Sequence, residues 1–278
     1  MTMLHRHCGA PHDLPRYDTR DLRSNYLLAD LFPSEEIRLV YCYEDRMVVG
    51  GCTPLAQPLT LSTGAEIGTP YFLSAREMGV VNLGGAGRIA VDGQIFAIAR
   101  REVLYIGRGA GIVTFESVDA ARPACFYLNS VSAGVSHPHR LIRREEAKKV
   151  SLGDASRCNS RNLAMYIHPE VPPSCLLMLG ITDVTPGSNW NTMPPHLHER
   201  RMEAYLYFDM AADDRVFHFM GRPEETRHLV VADRQSVLSP SWSIHMGVGT
   251  GPYSFIWGMT GENQEYTDVN PLALADLL

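Results

Sequence analysis

No stretch of this chain approaches the roughly 18 consecutive apolar residues that a membrane helix requires, and no basic stripe runs along it. Lys and Arg number 25 against 31 Asp and Glu, a formal charge of −6. That balance offers nucleic-acid phosphates little to bind. The opening "MTMLHRHCGAPHD" has no apolar h-region, so a secretory signal is not expected. Cys8, Cys42, Cys52, Cys125, Cys158 and Cys175 are scattered and form no CxxC pair. They read as reduced, buried thiols, and a cytoplasmic location is the expectation. Helical periodicity is scarce too. "YDTRDLRSNYLLADLF" (17–32) and "NPLALADLL" (270–278) are the candidates, with one helical turn at "REEAKK".

Strand signals fill the space that helices leave. "GVVNLGGAGRIAVDGQIFAIARREVLYIGRGAGIVTFES" (79–117) sets short Val, Ile and aromatic runs between glycine-rich turns. This spacing predicts an antiparallel sandwich or barrel. Asp92-Gly93, between "RIAV" and "QIFAI", predicts a tight hairpin. A second strand-rich stretch runs from 174 to 260, and the polar "HRLIRREEAKKVSLGDASRCNSRN" (139–162) reads as the connection. The length suits two β-domains, 1–150 and 151–278. The halves look like copies. "SAREMGVVNL" (74–83) aligns with "HERRMEAYLY" (198–207), matching Arg76 to Arg200 and Met78 to Met202, and "REVLYIG" (101–107) aligns with "RQSVLSPS" (234–241). The second copy has His196, His198 and Glu203 where the first has Phe72, Ser74 and Gly79.

Those three residues lie in "PPHLHERRMEAY" (194–205). On a strand, residues i and i+2 share a side, so His196 and His198 are expected to point together. A turn through "ERRM" would return Glu203 beside them, with Tyr205 and Tyr207 on its face. "LSPSWSIHMGVG" adds His245 from a Pro- and Gly-bounded turn. Three neutral imidazoles and a carboxylate suit a divalent transition metal with one position left open. His5, His7, His137, His139, His168, His218 and His228 lack that company and read as packing or surface residues.

The HxHx4E and Px4H set is the signature of the cupin superfamily. More narrowly, "WNTMPPHLHERRMEAYLYF", "GRPEETRH", "SPSWSIHMGVGT" and "FIWGMTGENQ" resemble the bacterial 5-keto-4-deoxyuronate isomerases, as do "YFLSAREMGVVNLGGAGRIAVDGQ" and "DRMVVGG". The resemblance implies a mainly β, two-domain cupin with one zinc per chain, held only in the C-terminal barrel by His196, His198, Glu203 and His245. Iron or manganese fits the same ligands. It further implies a hexamer acting on a small keto-uronate, whose carbonyl moves from C1 to C2. Tyr205, Tyr207 or a metal-bound water are candidates for the proton shuttle. Arg200 or Arg201 could hold the substrate carboxylate, Trp242 and Trp257 could line the sugar pocket, and Glu262 is a more distant contributor. Two other readings stay open: another cupin metalloenzyme, such as an iron-dependent oxygenase, and a non-catalytic sugar-binding cupin.

Overall fold

A computed structural model describes residues 1–61 and 64–278. The chain divides into two compact units, one of residues 1–6, 30–147 and 166–178, the other of 7–29, 148–165 and 179–278. A single cut at 150 differs from this division at segments 7–29, 148–150 and 166–178.

The first unit contains a seven-stranded sheet in the order Thr2–Arg6, Ile37–Cys42, Val48–Cys52, Phe126–Ser132, Arg76–Asn82, Val103–Ile106, Arg140–Ile142. Its second sheet has the order Leu59–Leu61, Val113–Ser117, Gly87–Val91, Gln94–Ile98. Alternate residues of both sheets, among them Leu39, Val80, Ile89, Phe115 and Phe126, share one apolar core. Asp92 and Gly93 both adopt positive φ, 47° and 88°, between the paired Val91 and Gln94. That is the two-residue turn whose twist matches its strands.

The second unit repeats the plan. Its seven-stranded sheet runs Lys148–Leu152, Arg161–Ile167, Met178–Val184, Ser254–Gly261, Arg201–Phe208, Ser236–Ser239, Leu27–Leu28. Its partner sheet runs Glu225–Val231, Val216–Arg222, Ile244–Gly249, Trp190–Leu197, Asn270–Pro271. In the large sheets the five inner strands match position by position, and the smaller sheets share four strands, to which the second unit adds Asn270–Pro271. Arg76–Asn82 corresponds to Arg201–Phe208, and Val103–Ile106 to Ser236–Ser239, as the aligned sequences require.

Five local expectations need correction. The polar stretch 139–162 is not a bare connection: it supplies the strands Arg140–Ile142 and Lys148–Leu152, one at the edge of each large sheet. Charged side chains suit such edges. At "REEAKK" the chain makes a turn rather than a helix, with the Glu146 N–H donating to Arg143 O at 3.0 Å. The helix near the start covers only Thr19–Tyr26, capped by Asp18, whose side chain accepts the Asp21 N–H at 2.8 Å. It ends where Leu27 and Leu28 pair with Val237 and Ser236. Residues 270–278 give an edge strand and one 3-10 turn, Leu274–Asp276. Pro271 has no N–H and sits on a sheet edge, where none is needed. None of the six cysteines is in a disulfide, and Cys158 is exposed and Cys175 half-buried rather than buried. Among the described residues, no helix is long and apolar enough to cross a membrane.

Candidate metal centre

Two neighbouring strands of the smaller sheet bring the first two imidazoles together. Trp190–Leu197 pairs with Ile244–Gly249, and His196 stands directly opposite His245. The ladder is irregular just before that pair: Asn191 faces Gly247, so residues 192–195 stand opposite Met246 alone. Pro194 and Pro195 cannot donate to a ladder, and Thr192 sits at φ 53°. A bulge of this kind re-aims side chains, and Thr192 lines the cavity described below. His198 follows two residues after His196, on the same side. The chain turns at Glu199 and Arg200, and Arg201–Phe208 returns with Glu203, Tyr205 and Tyr207 on one face.

The three imidazole rings lie 4.7–4.8 Å apart between centroids, and their ligand nitrogens fall within 4.8 Å of one another. His196 Nε2 and His245 Nε2 are 3.2 Å apart. A Glu203 oxygen lies 3.2 Å from His245 Nε2 and 3.8 Å from His198 Nδ1. Ser239 Oγ stands 3.3 Å from His245 Nδ1, so it can orient the ring with Nε2 turned inward. Burial lowers the histidine pKa values, to about 4 for His196 and about 2 for His198, and His245 well below its ordinary value. All three are neutral, the form that binds metal. Burial also lifts Glu203 to about 8, although the Tyr205 hydroxyl and the Arg201 charge pull the other way.

The cluster opens into a cavity of about 300 Å³, at the lower end of the roughly 300–1,000 Å³ usual for small-molecule sites. His196, His198, Glu203 and Tyr205 line it, walled by Phe255, Trp257 and Tyr266. His245 lies behind them, 1% exposed. Trp257 donates from Nε1 to Thr182 Oγ1 at 3.1 Å. Its ring crosses Gly180 so closely that a Cβ there would meet it at 2.2 Å. Tyr207 is buried beneath this layer, its hydroxyl 2.7 Å from His218 Nδ1 and its ring stacked on Tyr205 at 6.1 Å. His218 thus packs among the tyrosines.

Four expected site residues lie elsewhere. Arg200 is exposed and paired with Asp268, donating from Nε at 2.9 Å. Arg201 is buried, but its guanidinium is committed to Asn263 Oδ1 at 3.0 Å, Asp268 O at 2.8 Å and the carbonyl of Glu265. Both therefore anchor the segment that carries Tyr266 instead of facing the cavity. Trp242 packs edge-on against Tyr26 and borders a different groove, with Leu197 and Pro223. Glu262 is exposed. Conversely, the cavity holds a cation that sequence reading passed over, Arg161. Its signal was its phase: Arg161, Leu163 and Met165 alternate on the buried face of one strand.

Two barrels of one plan, with a polar cluster in the second, define a two-domain cupin. Its fold is similar to that of an IolB-like protein from Salmonella typhimurium LT2, with a TM-score of 0.73 over 89% of this chain and 97% of that one at 14% identity. It is also similar to oxalate decarboxylase from Lactobacillus farciminis, with a TM-score of 0.57 over 81% and 79% at 11% identity. Such identities speak to fold alone. Sequence relatives go further. The 4-deoxy-L-threo-5-hexosulose-uronate ketol-isomerase of Lachnoclostridium phytofermentans is 48% identical over 272 residues, 98% of this chain and 99% of its own. The enzyme of that name from Cereibacter sphaeroides is 50% identical over 272 residues, covering 98% and 97%. Residues 29–275 match the KduI/IolB family as a profile, and the chain belongs to that family.

Proposed function

We propose that this chain is a metal-dependent ketol-isomerase. It would convert 5-dehydro-4-deoxy-D-glucuronate (4-deoxy-L-threo-5-hexosulose uronate) to 3-deoxy-D-glycero-2,5-hexodiulosonate in the breakdown of pectin or another uronate polymer. One observation carries the reading: the largely buried His196, His198, His245 and Glu203 cluster opens into a small-molecule cavity in a chain about half identical, end to end, to ketol-isomerases.

The cluster fits a metal by its own chemistry. His198 Nδ1 is buried without a hydrogen-bond partner, a costly state for a polar atom unless something completes it. Three nitrogens and one carboxylate oxygen are a donor set that zinc accepts. When bound, zinc supplies Lewis-acid stabilisation of the negative charge that develops on the substrate's oxygens.

The remaining work is proton traffic. Moving the carbonyl from C1 to C2 takes a hydrogen from C2, delivers one to C1 and passes a hydroxyl proton from O2 to O1. We assign this traffic to Tyr205, which faces the cavity and hydrogen-bonds Glu203. Burial and the nearby Glu203 raise its phenol well above the ordinary range. It rests protonated, so it relays protons rather than waiting as a phenolate. Tyr207, engaged by His218, supports Tyr205 from beneath. Phe255 and Trp257 exclude water. We read the working assembly as a homo-oligomer, a hexamer by family likeness, which light scattering can check.

The test is to incubate the purified protein with the keto-uronate in deuterated water and follow the product by NMR. Conversion with partial deuterium at C1 is expected. No conversion rejects the isomerase reading, whereas conversion with no label at any stage rejects a solvent-exchanging relay in favour of a direct hydride shift.

A further inference from the structure

Arg161 opens the strand Arg161–Ile167 and points, with Leu163, into the cavity that holds the metal cluster. Only 9% of it is exposed. Its guanidinium donates from Nη1 to Asn159 O at 2.9 Å and from Nη2 to Met193 O at 3.2 Å. Both acceptors are neutral, and no carboxylate pairs with it among the described residues. Of the five N–H donors of a guanidinium, three remain unused. Its electrostatic neighbours are the phenols of Tyr266, Tyr205 and Tyr253. A buried cation without a counter-charge is an expensive arrangement, and the fold does not demand it. At the corresponding place in the first unit, the strand Ile37–Cys42 opens on Ile37, packed in the apolar core. Arg200 and Arg201 are already committed to the 263–268 segment.

We infer that Arg161 is the docking residue for the substrate's carboxylate, accepting that group edge-on through its free N–H donors. This deepens the isomerase reading and rests on it for the identity of the acid. A planar carboxylate matches the guanidinium fork and takes two parallel charge-assisted bonds from it. Fixing the acid end also fixes which end of the sugar reaches the histidines, where C1 and C2 must lie. A neutral sugar would leave the buried cation unpaired. Rejection of such analogues is strongest where a site's polar groups are left without partners.

Steady-state kinetics and metal analysis of wild type, Arg161→Gln and Arg161→Lys test this, with the keto-uronate and its neutral C6 amide as paired substrates. Wild type should prefer the acid. In Arg161→Gln, KM for the acid should rise about 100-fold, as expected for loss of a charge-assisted pair, with kcat and metal content little changed. The preference for the acid should vanish, and Arg161→Lys should restore part of it. Equal losses for acid and amide, or a fall in kcat alone, would overturn the proposal. If Arg161→Gln does not fold, Arg161→Lys decides: unchanged KM for the acid refutes bidentate docking. If wild type fails to turn over the keto-uronate, the isomerase reading falls by itself. Calorimetry with D-galacturonate against D-galactose then decides the role of Arg161. A preference for the acid that Arg161→Gln removes supports it; no preference in wild type, or one that survives the substitution, refutes it.

Discussion

The strands Arg76–Asn82 and Arg201–Phe208 hold the same place in sheets of the same order, and each buries a charge near its start. In the first unit it is Glu77, 0% exposed, which accepts the N–H groups of Cys175, Leu176 and Leu177 at 2.8 Å and the Tyr105 hydroxyl at 2.7 Å. In the second it is Arg201, satisfied by the 263–268 segment. Both copies thus use one buried charge to tie down a loop. They differ further along. The first barrel fills its interior with Phe72, Ile89, Phe115 and Phe126, whereas the second keeps a cavity edged by two imidazoles, a carboxylate and Arg161, with His245 behind them. Spent charges hold the fold in both, and polar groups with spare capacity gather in only one.

The largest effect that would sharpen this contrast is replacement of His198 by Ala. Activity should fall by more than about 10³-fold, beyond the 10–100-fold typical of a supporting residue, and metal should be lost. The β-sheet circular dichroism should persist, because the cavity carries little of the packing. Activity that survived without metal would dissolve the distinction between the barrels.

Next comes the reciprocal change in the first unit. Phe126→Ala removes a fully buried ring that packs against Phe115 at 5.4 Å, and should cost about 3–5 kcal/mol of stability. Denaturant melts would measure that cost, while elemental analysis still finds one metal per folded chain. Two metals per wild-type chain would mean that the first barrel had kept a site.

Tyr205 and Tyr207 divide the second interior in the same way. Tyr205→Phe should lower kcat about 100-fold, within the range for a positioned acid–base group. Tyr207→Phe forfeits the hydroxyl's bonds to His218 and Asn191, about 1–2 kcal/mol of stability, and kcat should change little. Equal losses in kcat would place both in the proton traffic.

The smallest effect is a proton count. With Glu203 raised to about 8 and the histidines already neutral at pH 7, metal uptake near pH 7 should expel close to one proton per ion, from Glu203. The release should shrink above pH 8 as the metal-free carboxyl ionises by itself, and apparent affinity should rise up to that point and then level. Calorimetry in buffers of different ionisation enthalpy reads this directly. Three protons per ion at pH 7 would mean that the histidines are charged before metal arrives.

Much of this was legible because the informative residues are close in sequence. His196, His198 and Glu203 span one hairpin, Asp92-Gly93 specifies one turn, and aligned segments marked strands that share a place in the sheet order. The rest depended on long-range partners. Arg200 and Arg201 sit beside the ligands in sequence, yet Asp268 and Asn263, more than sixty residues away, claim their guanidinium groups. Arg161 escaped notice for the opposite reason. Its polar neighbours Asn159, Ser160 and Asn162 gave that stretch the look of a loop, masking an alternation that begins at Arg161 itself. Trp242 illustrates a third limit, since composition alone does not say which groove an aromatic ring borders.

The short strand Leu27–Leu28 closes one edge of the second unit's large sheet, yet a ribosome makes it before any other strand of that sheet. The second barrel cannot be completed in the order it is synthesised. Its first-made edge must wait until Ser236–Ser239 has emerged, leaving the segment 7–29 to remain unpaired through most of translation. Folding of the site-bearing barrel is thereby bound to the chain's earliest residues, and a clone that begins at the apparent midpoint would carry all four metal-site residues but leave the sheet that holds Glu203 with an open edge.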